Sequence, residues 1–312
     1  MSGTTTALRH EALFYDGDDA FAERTGAFIR EGLRADEVIL IVVAAAKADL
    51  LRDDLGEDAR LVRFADMAEV GRNPARIIPA WSAFRTEQVE AGRAFRGVGE
   101  PIWPGRTPDE LVECERHEAL LNLAFADGPP WKLACPYDVS ALAPEVLREA
   151  ERNHPIVVED GVGKGSPTFA WPDPSVPFDR PLPDPPDSAA VLIFGRDSID
   201  QVRELVRREA SGAGLDDART ADLVIAANEV ASNSLRHGGG RGTVRVWRGD
   251  DVVRCEIRDA GVIADPLVGR VIPTSEQTSG FGLWLVNQLC DLVQVRTSTV
   301  GSVVRMHMHL AR

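Results

Sequence analysis

The chain has 312 residues, 44% of them hydrophobic, and can bury more than one ordinary core, so two domains are the natural expectation. Its 35 Lys and Arg residues are outnumbered by 49 Asp and Glu residues, which gives a net charge of −14. Because phosphate binding relies on clustered basic side chains, this balance argues against direct binding of nucleic acid.

The N-terminal sequence and the apolar segments predict a cytoplasmic protein. Residues 1–19 lack the apolar run of a signal peptide. The longest apolar run, residues 38–46, is far shorter than the roughly 20 residues needed to span a bilayer, so we interpret it as a buried strand. The four cysteines show no Cys-x-x-Cys spacing, and we expect reduced thiols and no membrane span.

Helical and strand-like patterns alternate through the first half of the chain. Apolar residues recur at helical spacing in residues 19–35, before the predicted strand at 38–46. Further helices are predicted at 46–56, 74–93, 108–127 and 143–155, with strands at 59–65 and 132–138. Continuously apolar strands that alternate with helices predict an α/β domain with a mainly parallel sheet.

Several segments of this half resemble a known sensory domain. They are "RHEALFYDGDD", "NPARIIPAW", "ECERHEALLNLAF", "LACPYD" and "NHP". Residues 8–160 are similar in these motifs to MEDS, the sensory domain of methanogen and methylotroph regulators. The resemblance implies an α/β fold and a sensory role, with an unknown small molecule or protein as the signal.

The polar residues of this half leave three interpretations open. A metal site could use His10, His117, Cys135 and His154, although no pair of them has the close spacing of a zinc site. We favour instead a small-ligand pocket at the strand ends, with candidate residues His117, Cys135, Tyr137 and Asp138. The third interpretation assigns these residues to caps, turns and core packing.

A proline-rich segment divides the chain. Residues 171–187, "WPDPSVPFDRPLPDPPD", contain seven prolines and exclude regular helix or central strand. As polyproline II the segment could separate two domains by up to roughly 50 Å, but packing against one of them is equally allowed. We therefore predict a sensory domain at 1–170, a linker at 171–187 and a second domain at 188–312.

The second domain has a different order of elements. A strand at 188–194 precedes helices at 197–210 and 215–236. Strands at 243–248 and 252–259, a loop at 260–280, a helix at 281–292 and a closing strand pair follow. Antiparallel strands beside segregated helices predict an α+β two-layer sandwich.

Three short motifs of this domain carry chemistry. On the second helix, Glu229, Asn233 and His237 follow each other at four-residue steps and so lie on one face. Asp259-x-Gly261 ends a strand, and Gly280-x-Gly282 opens a helix where backbone N–H groups can meet an anion. Taken singly, the first pattern is typical of a solvated helix face and the glycine patterns of ordinary turns.

In this order the three motifs resemble the N, G1 and G2 boxes of the GHKL ATPases, which implies the Bergerat-type sandwich with ATP and Mg²⁺ as cofactors. Asn233 would then bind Mg²⁺, Asp259 would accept a hydrogen bond from the adenine amino group, and Glu229 would polarise the attacking hydroxyl or water. Three glycines would let a lid close over the triphosphate: Gly261, Gly280 and Gly282.

The sequence departs from the family pattern at Ile263, where the fuller G1 box has a second glycine. The compact domain and short lid resemble the anti-sigma-factor serine kinases. That resemblance implies a serine/threonine kinase that acts by partner switching, with a sigma factor and its antagonist protein as partners, and we leave a homodimer possible. Two alternatives stay open: a sensor histidine kinase, for which His154 before Pro155 is a poor phosphoacceptor, and a GHKL-fold module that sequesters a partner without catalysis.

Overall fold

The structure is a computed structural model that describes residues 7–170, 180–273 and 280–310. The chain divides into two compact units, Met1–Pro174 and Ser175–Arg312. Residues 171–179 of the predicted linker and 274–279 of the predicted loop lie outside the described residues. Within the described part of the chain, no helix combines the length and the apolar character needed to cross a membrane.

The N-terminal unit is built on a seven-stranded sheet with the order β3-β2-β4-β5-β1-β6-β7. Strands β1 to β6 pair in parallel, and β7 alone runs antiparallel to its neighbour β6. The strands are β1 Leu8–Tyr15, β2 Val38–Val43, β3 Arg63–Asp66, β4 Phe95–Gly99, β5 Trp131–Asp138, β6 Ile156–Glu159 and β7 Val162–Gly165. This architecture confirms the predicted α/β domain with a mainly parallel sheet.

Six α-helices belong to this unit, among the described residues. They are α1 Gly17–Arg34, α2 Ala45–Leu55, α3 Met67–Val70, α4 Ile77–Glu90, α5 Pro108–Ala124 and α6 Pro144–Asn153. Helix α5 begins sharply because Thr107 and Glu110 form a capping box and Pro108 occupies the first helical position. Its apolar face is buried through Leu120 and Leu121, which fixes the direction of the polar side chains beside them.

Three parts of the N-terminal unit differ from the sequence prediction. Strands β1 and β4 and the β6–β7 hairpin were not predicted as strands. The apolar run at 38–46 leaves the sheet at Val43, and Ala45 already begins α2. Residues 59–61, predicted as part of a strand, belong to a 3₁₀ helix, Gly56–Leu61, and the strand begins at Arg63.

The C-terminal unit contains an antiparallel sheet with the order β11-β12-β10-β9-β8. Its strands are β8 Ala190–Gly195, β9 Arg241–Arg248, β10 Val252–Asp259, β11 Leu292–Ser298 and β12 Gly301–His309. The helices are α7 Ile199–Gly212, α8 Asp217–His237 and α9 Phe281–Leu289. Val206 and Val230 of the helices share one core with Ile257 and Met306 of the sheet, which confirms the predicted α+β two-layer sandwich.

The opposite face of this sheet is covered by charged side chains and by the end of the proline-rich segment. Glu256 is fully buried and binds Arg305 at 2.6 Å and Arg258 at 2.6 Å. Arg305 also donates to the carbonyl of Pro183, and Arg258 contacts Asp184 at 3.2 Å. The described end of the predicted linker therefore packs against the C-terminal unit.

Candidate functional site

A cavity of about 920 Å³ lies in the C-terminal unit. Its walls come from the second half of α8, the end of β10 with the loop that follows, and the first turn of α9. The structure places all six predicted site residues on these walls: Glu229, Asn233, Asp259, Gly261, Gly280 and Gly282. The fold therefore brings the three sequence motifs to one cavity. The individual roles of these residues stay predictions.

Helix α8 presents the acid and the amide to the cavity. The helix begins where the side chain of Asp216 accepts a hydrogen bond from the backbone N–H of Arg219, and its apolar face is buried in the core. Glu229 and Asn233 lie one turn apart on the cavity side and are partly buried. The side chain of Arg236 donates to Asn233 Oδ1 at 3.0 Å, which places a cation beside the amide.

The carboxylate of Asp259 is held at the end of β10 by two hydrogen bonds. Its Oδ1 accepts from the Gly261 N–H at 2.7 Å, and its Oδ2 accepts from the Ser234 hydroxyl at 2.6 Å. A carboxylate has about four acceptor positions, so further positions stay open for a ligand donor. Ser234 was missed in the sequence, although it follows Asn233 directly and is the α8 residue that turns toward β10.

Gly238, which directly follows His237 in the motif of α8, makes a close approach to Asp259 that the sequence did not predict. A Cβ atom on it would lie 2.4 Å from Asp259 Cγ and 2.6 Å from Asp259 Oδ1, so a side chain cannot be accommodated without moving the carboxylate. A Cβ on Gly261 would lie 2.8 Å from the carbonyl oxygen of His237. The C-terminal end of α8 and the end of β10 approach each other through these two glycines. His237 itself lies at the exposed helix end.

The first turn of α9 faces the acid and the amide. Gly280 precedes the helix with a left-handed φ of 102°, which favours glycine. A Cβ on Gly282 would lie 3.0 Å from Asn233 Nδ2 and 3.3 Å from Glu229 Oε2. The first N–H groups of a helix lack partners within the helix, and its dipole favours anions there. Carboxylate and amide oxygens beside such a helix start are a donor set that suits a phosphate-bound divalent cation.

Ile263, the departure from the family pattern, has a packing role. Its backbone N–H donates to Thr297 Oγ1 at 3.2 Å, and its side chain packs against the hydrophobic core while it lines the cavity. The side chain therefore anchors the loop after β10.

The predicted sensory-pocket residues of the N-terminal unit lie on α5 and β5, and the pocket itself stays a prediction. His117, Cys135 and Tyr137 are buried, whereas Asp138 at the end of β5 accepts hydrogen bonds from the N–H and hydroxyl of Ser140. The α5 residue beside Cys135 is Glu118 rather than its neighbour His117. The metal site considered from the sequence is corrected at one position. Glu118, and not His117, forms a cluster with His10, Cys135 and His154. Successive residues of a helix point about 100° apart, so the side chains of His117 and Glu118 point in different directions.

Another polar group lies at the carboxyl end of the parallel strands. The Tyr15 hydroxyl donates to Glu100 Oε1 at 2.5 Å, and Lys47 Nζ lies 4.7 Å from the centre of the Tyr15 ring. Burial raises the pKa of Glu100 to about 7, against the lowering effect of the Tyr15 hydrogen bond and of Lys47; the nearby Asp138 and Asp18 raise the pKa further. The pairing of Glu100 with Tyr15 joins residues 85 positions apart and could not be predicted from spacing.

Family models match both units. Residues 9–155 match MEDS, the methanogen/methylotroph, DcmR sensory domain. Residues 196–308 match the histidine kinase-like ATPase domain. Both resemblances predicted from the motifs are thereby confirmed, and a signalling regulator with a kinase-like ATPase domain is supported.

Two solved structures are similar to part of the chain. The RsbU and RsbW domains of Rv1364c from Mycobacterium tuberculosis are 20% identical, with a TM-score of 0.30, over 39% of this chain and 33% of that chain. The Acinetobacter baumannii histidine kinase AdeS is 12% identical, with a TM-score of 0.24, over 39% of this chain and 68% of that chain. The chain thus spans about a third of the first structure. A search of curated proteins gave no match.

Proposed function

For a chain in which a MEDS sensory domain precedes a histidine kinase-like ATPase domain, we propose that the second domain binds Mg²⁺-ATP and phosphorylates a serine or threonine of a partner protein. The observation that carries the proposal is the convergence of Glu229, Asn233, Asp259 and the three motif glycines on one cavity. Its volume of about 920 Å³ lies within the range that small-molecule sites occupy.

Each wall of the cavity has a task in this proposal. Asp259, held by Ser234 and Gly261, accepts a hydrogen bond from the adenine amino group. The first turn of α9 receives phosphate oxygens, and Asn233 supplies an amide oxygen for the metal ion. Bound Mg²⁺ supplies charge neutralisation on the phosphate oxygens. Glu229, one turn from Asn233, accepts the hydrogen bond of the attacking hydroxyl and orients it.

We further propose that the partners are a sigma factor and its antagonist protein, and that the signal enters through the MEDS domain. A phosphate group brings about −1.5 to −2 charges at neutral pH. Placed on an interface serine of the antagonist, it would oppose one complex and free the kinase domain for the other partner. The support for a kinase of the anti-sigma-factor type is the motif resemblance together with the short lid in the sequence.

Isothermal titration tests the nucleotide site directly. The intact protein should bind ATP in the presence of Mg²⁺, and Asn233→Ala and Asp259→Ala should each weaken binding by about 100-fold or more, on the order of 2.7 kcal/mol. Asn228→Ala is a matched control, because Asn228 lies on the same helix but pairs with Arg203 at 2.9 Å. Absence of nucleotide binding to the unaltered protein would reject the kinase proposal.

A phosphotransfer experiment tests the reaction. Affinity purification from the native cell with labelled ATP and Mg²⁺, followed by phosphosite mapping, should yield acid-stable phosphoserine or phosphothreonine on a co-purified protein. Acid-labile label on this chain would favour the histidine kinase alternative. ATP binding without phosphate transfer to any partner would favour a module that sequesters its partner without catalysis. Ile263 at the G1 position supports this alternative.

A further inference from the structure

Four buried side chains of the N-terminal unit converge on one point. His10 of β1, Glu118 of α5, Cys135 of β5 and His154, which follows α6, place one potential ligand atom each within 4.8 Å of one another. All four residues are at most 1% exposed. This set of two imidazoles, one thiol and one carboxylate is the only group of its kind among the described residues.

The outer nitrogens of both imidazoles are occupied by acceptors. His10 Nδ1 lies 3.2 Å from Asn122 Oδ1, and His154 Nδ1 lies 2.8 Å from the carbonyl oxygen of Ala150. Asn122 is oriented by its own donation to the carbonyl of Asn153 at 2.7 Å. An acceptor at Nδ1 assigns a proton to that nitrogen, which leaves Nε2 of each ring, directed at the other cluster atoms, as the nitrogen that can bind a metal ion. This outer arrangement is the one that orients histidines toward metal ions.

Three of the distances between the ligand atoms are close to those of a tetrahedral metal site. His10 Nε2 lies 3.1 Å from Glu118 Oε2 and 3.3 Å from Cys135 Sγ, and His154 Nε2 lies 3.3 Å from Glu118 Oε2. Bonds of about 2.0 to 2.3 Å to a tetrahedral ion place neighbouring ligand atoms about 3.3 to 3.7 Å apart. Small adjustments of these side chains would therefore admit an ion at their centre.

Two polar atoms of the cluster also lack a hydrogen-bond partner within the described structure: Glu118 Oε1 and His154 Nε2. Lone pairs that face each other in a buried space, with a carboxylate among them, are costly unless a cation joins them.

We propose that this cluster binds a single divalent transition-metal ion of the Zn²⁺ class through His10 Nε2, His154 Nε2, a Glu118 oxygen and the Cys135 thiolate. Two nitrogens, one sulfur and one oxygen suit a borderline-soft ion. Binding releases the proton of the Cys135 thiol to solvent. Because four protein ligands close a tetrahedral site, the ion joins four separate elements of the sensory domain and leaves no open position for catalysis.

Titration of the full chain with Co²⁺, after removal of bound metal with a chelator, tests the proposal. One equivalent should produce the visible bands of tetrahedral Co²⁺ and a thiolate-to-cobalt charge-transfer band, and Zn²⁺ should abolish both. Cys135→Ser should lose the charge-transfer band. Cys114→Ser should keep it, because Cys114 is equally buried but donates its S–H to the Pro101 carbonyl at 3.3 Å.

A second variant separates metal binding from loss of the fold. Asn122→Ala keeps all four ligands and removes only the acceptor at His10 Nδ1, so Zn²⁺ affinity should fall about 10- to 100-fold. Circular dichroism of the metal-free proteins controls for folding. The proposal is overturned if the unaltered protein binds neither Co²⁺ nor Zn²⁺ stoichiometrically, or if Cys114→Ser loses the charge-transfer band as Cys135→Ser does.

Discussion

The cavity of the C-terminal unit and the buried cluster of the N-terminal unit bring polar groups together in opposite ways. The cavity is open, and its predicted site residues come from three short motifs. The cluster is closed, and His10 lies 108 and 125 residues from its partners Glu118 and Cys135. A site whose residues follow helix or strand periodicity can be read along the chain, whereas one assembled across a parallel sheet becomes visible only in the fold.

The first test asks whether the cavity depends on the close approach of two backbone segments. Gly238→Ala would place a Cβ atom 2.4 Å from Asp259 Cγ. Ser234 and Gly261 hold that carboxylate, so we expect it to be displaced and ATP affinity to fall by at least about 100-fold, on the order of 2.7 kcal/mol. Isothermal titration measures the change. Gly212→Ala, where no atom lies within 4 Å, is the control and should bind normally.

The second test asks whether a buried acid of the N-terminal unit makes stability depend on pH. The pKa of Glu100 is raised from 4.5 to about 7 by burial. The folded state therefore holds a proton that the unfolded state releases, and the free energy of unfolding should fall as pH rises from about 4.5 to about 7. A pKa shift of this size lowers the free energy of unfolding by about 3 kcal/mol over this pH range.

Glu100→Gln should remove this part of the pH dependence, measured by chemical denaturation at several pH values. Gln keeps an oxygen that accepts from the Tyr15 hydroxyl. Glu115, whose pKa burial also raises to about 7, titrates in both proteins, so only the difference between them reports on Glu100. Identical slopes for the two proteins would show that Glu100 does not titrate in this window.

The smallest expected effect concerns the support of Asp259. Ser234→Ala removes one of the two hydrogen bonds to the carboxylate and leaves the Gly261 N–H in place. A typical hydrogen bond contributes about 1 kcal/mol, so ATP affinity should fall about 5-fold. Ser211→Ala, at an exposed position of α7, is the matched control. An affinity equal to that of the unaltered protein would mean that Gly261 alone orients Asp259.

The parallel sheet and the α+β sandwich could be predicted because their strands and helices have regular apolar patterns. Strand β4 could not, because its sequence "FRGVG" carries two glycines, which disfavour strands. The structure supplies the reason: a Cβ on Gly97 would lie 2.7 Å from the Trp81 ring, and one on Gly99 would lie 3.0 Å from it. Tertiary packing against α4 overrides the local preference.

The candidate sites also combine features that could be predicted from local sequence with features that depend on tertiary packing. The motif residues of the cavity could be named in advance, but the contacts of Ser234 and Gly238 with Asp259 could not, since they join α8 to β10. In the N-terminal unit, His10, Cys135 and His154 were recognised as possible ligands without their fourth member. Glu118 stands beside His117 in the chain, and only the orientation of α5 decides which of the two side chains turns to Cys135.

The span of the four-residue cluster has a consequence for synthesis of the chain. His10 is made first, and Cys135 follows 125 residues later. At translation rates of about 5 to 20 residues per second, roughly 6 to 25 s pass before the thiol exists. His154 follows later still, so a nascent chain holds an incomplete set of ligands during most of the synthesis of this domain. Capture of an ion would then mark the point at which the sensory domain has left the ribosome and closed.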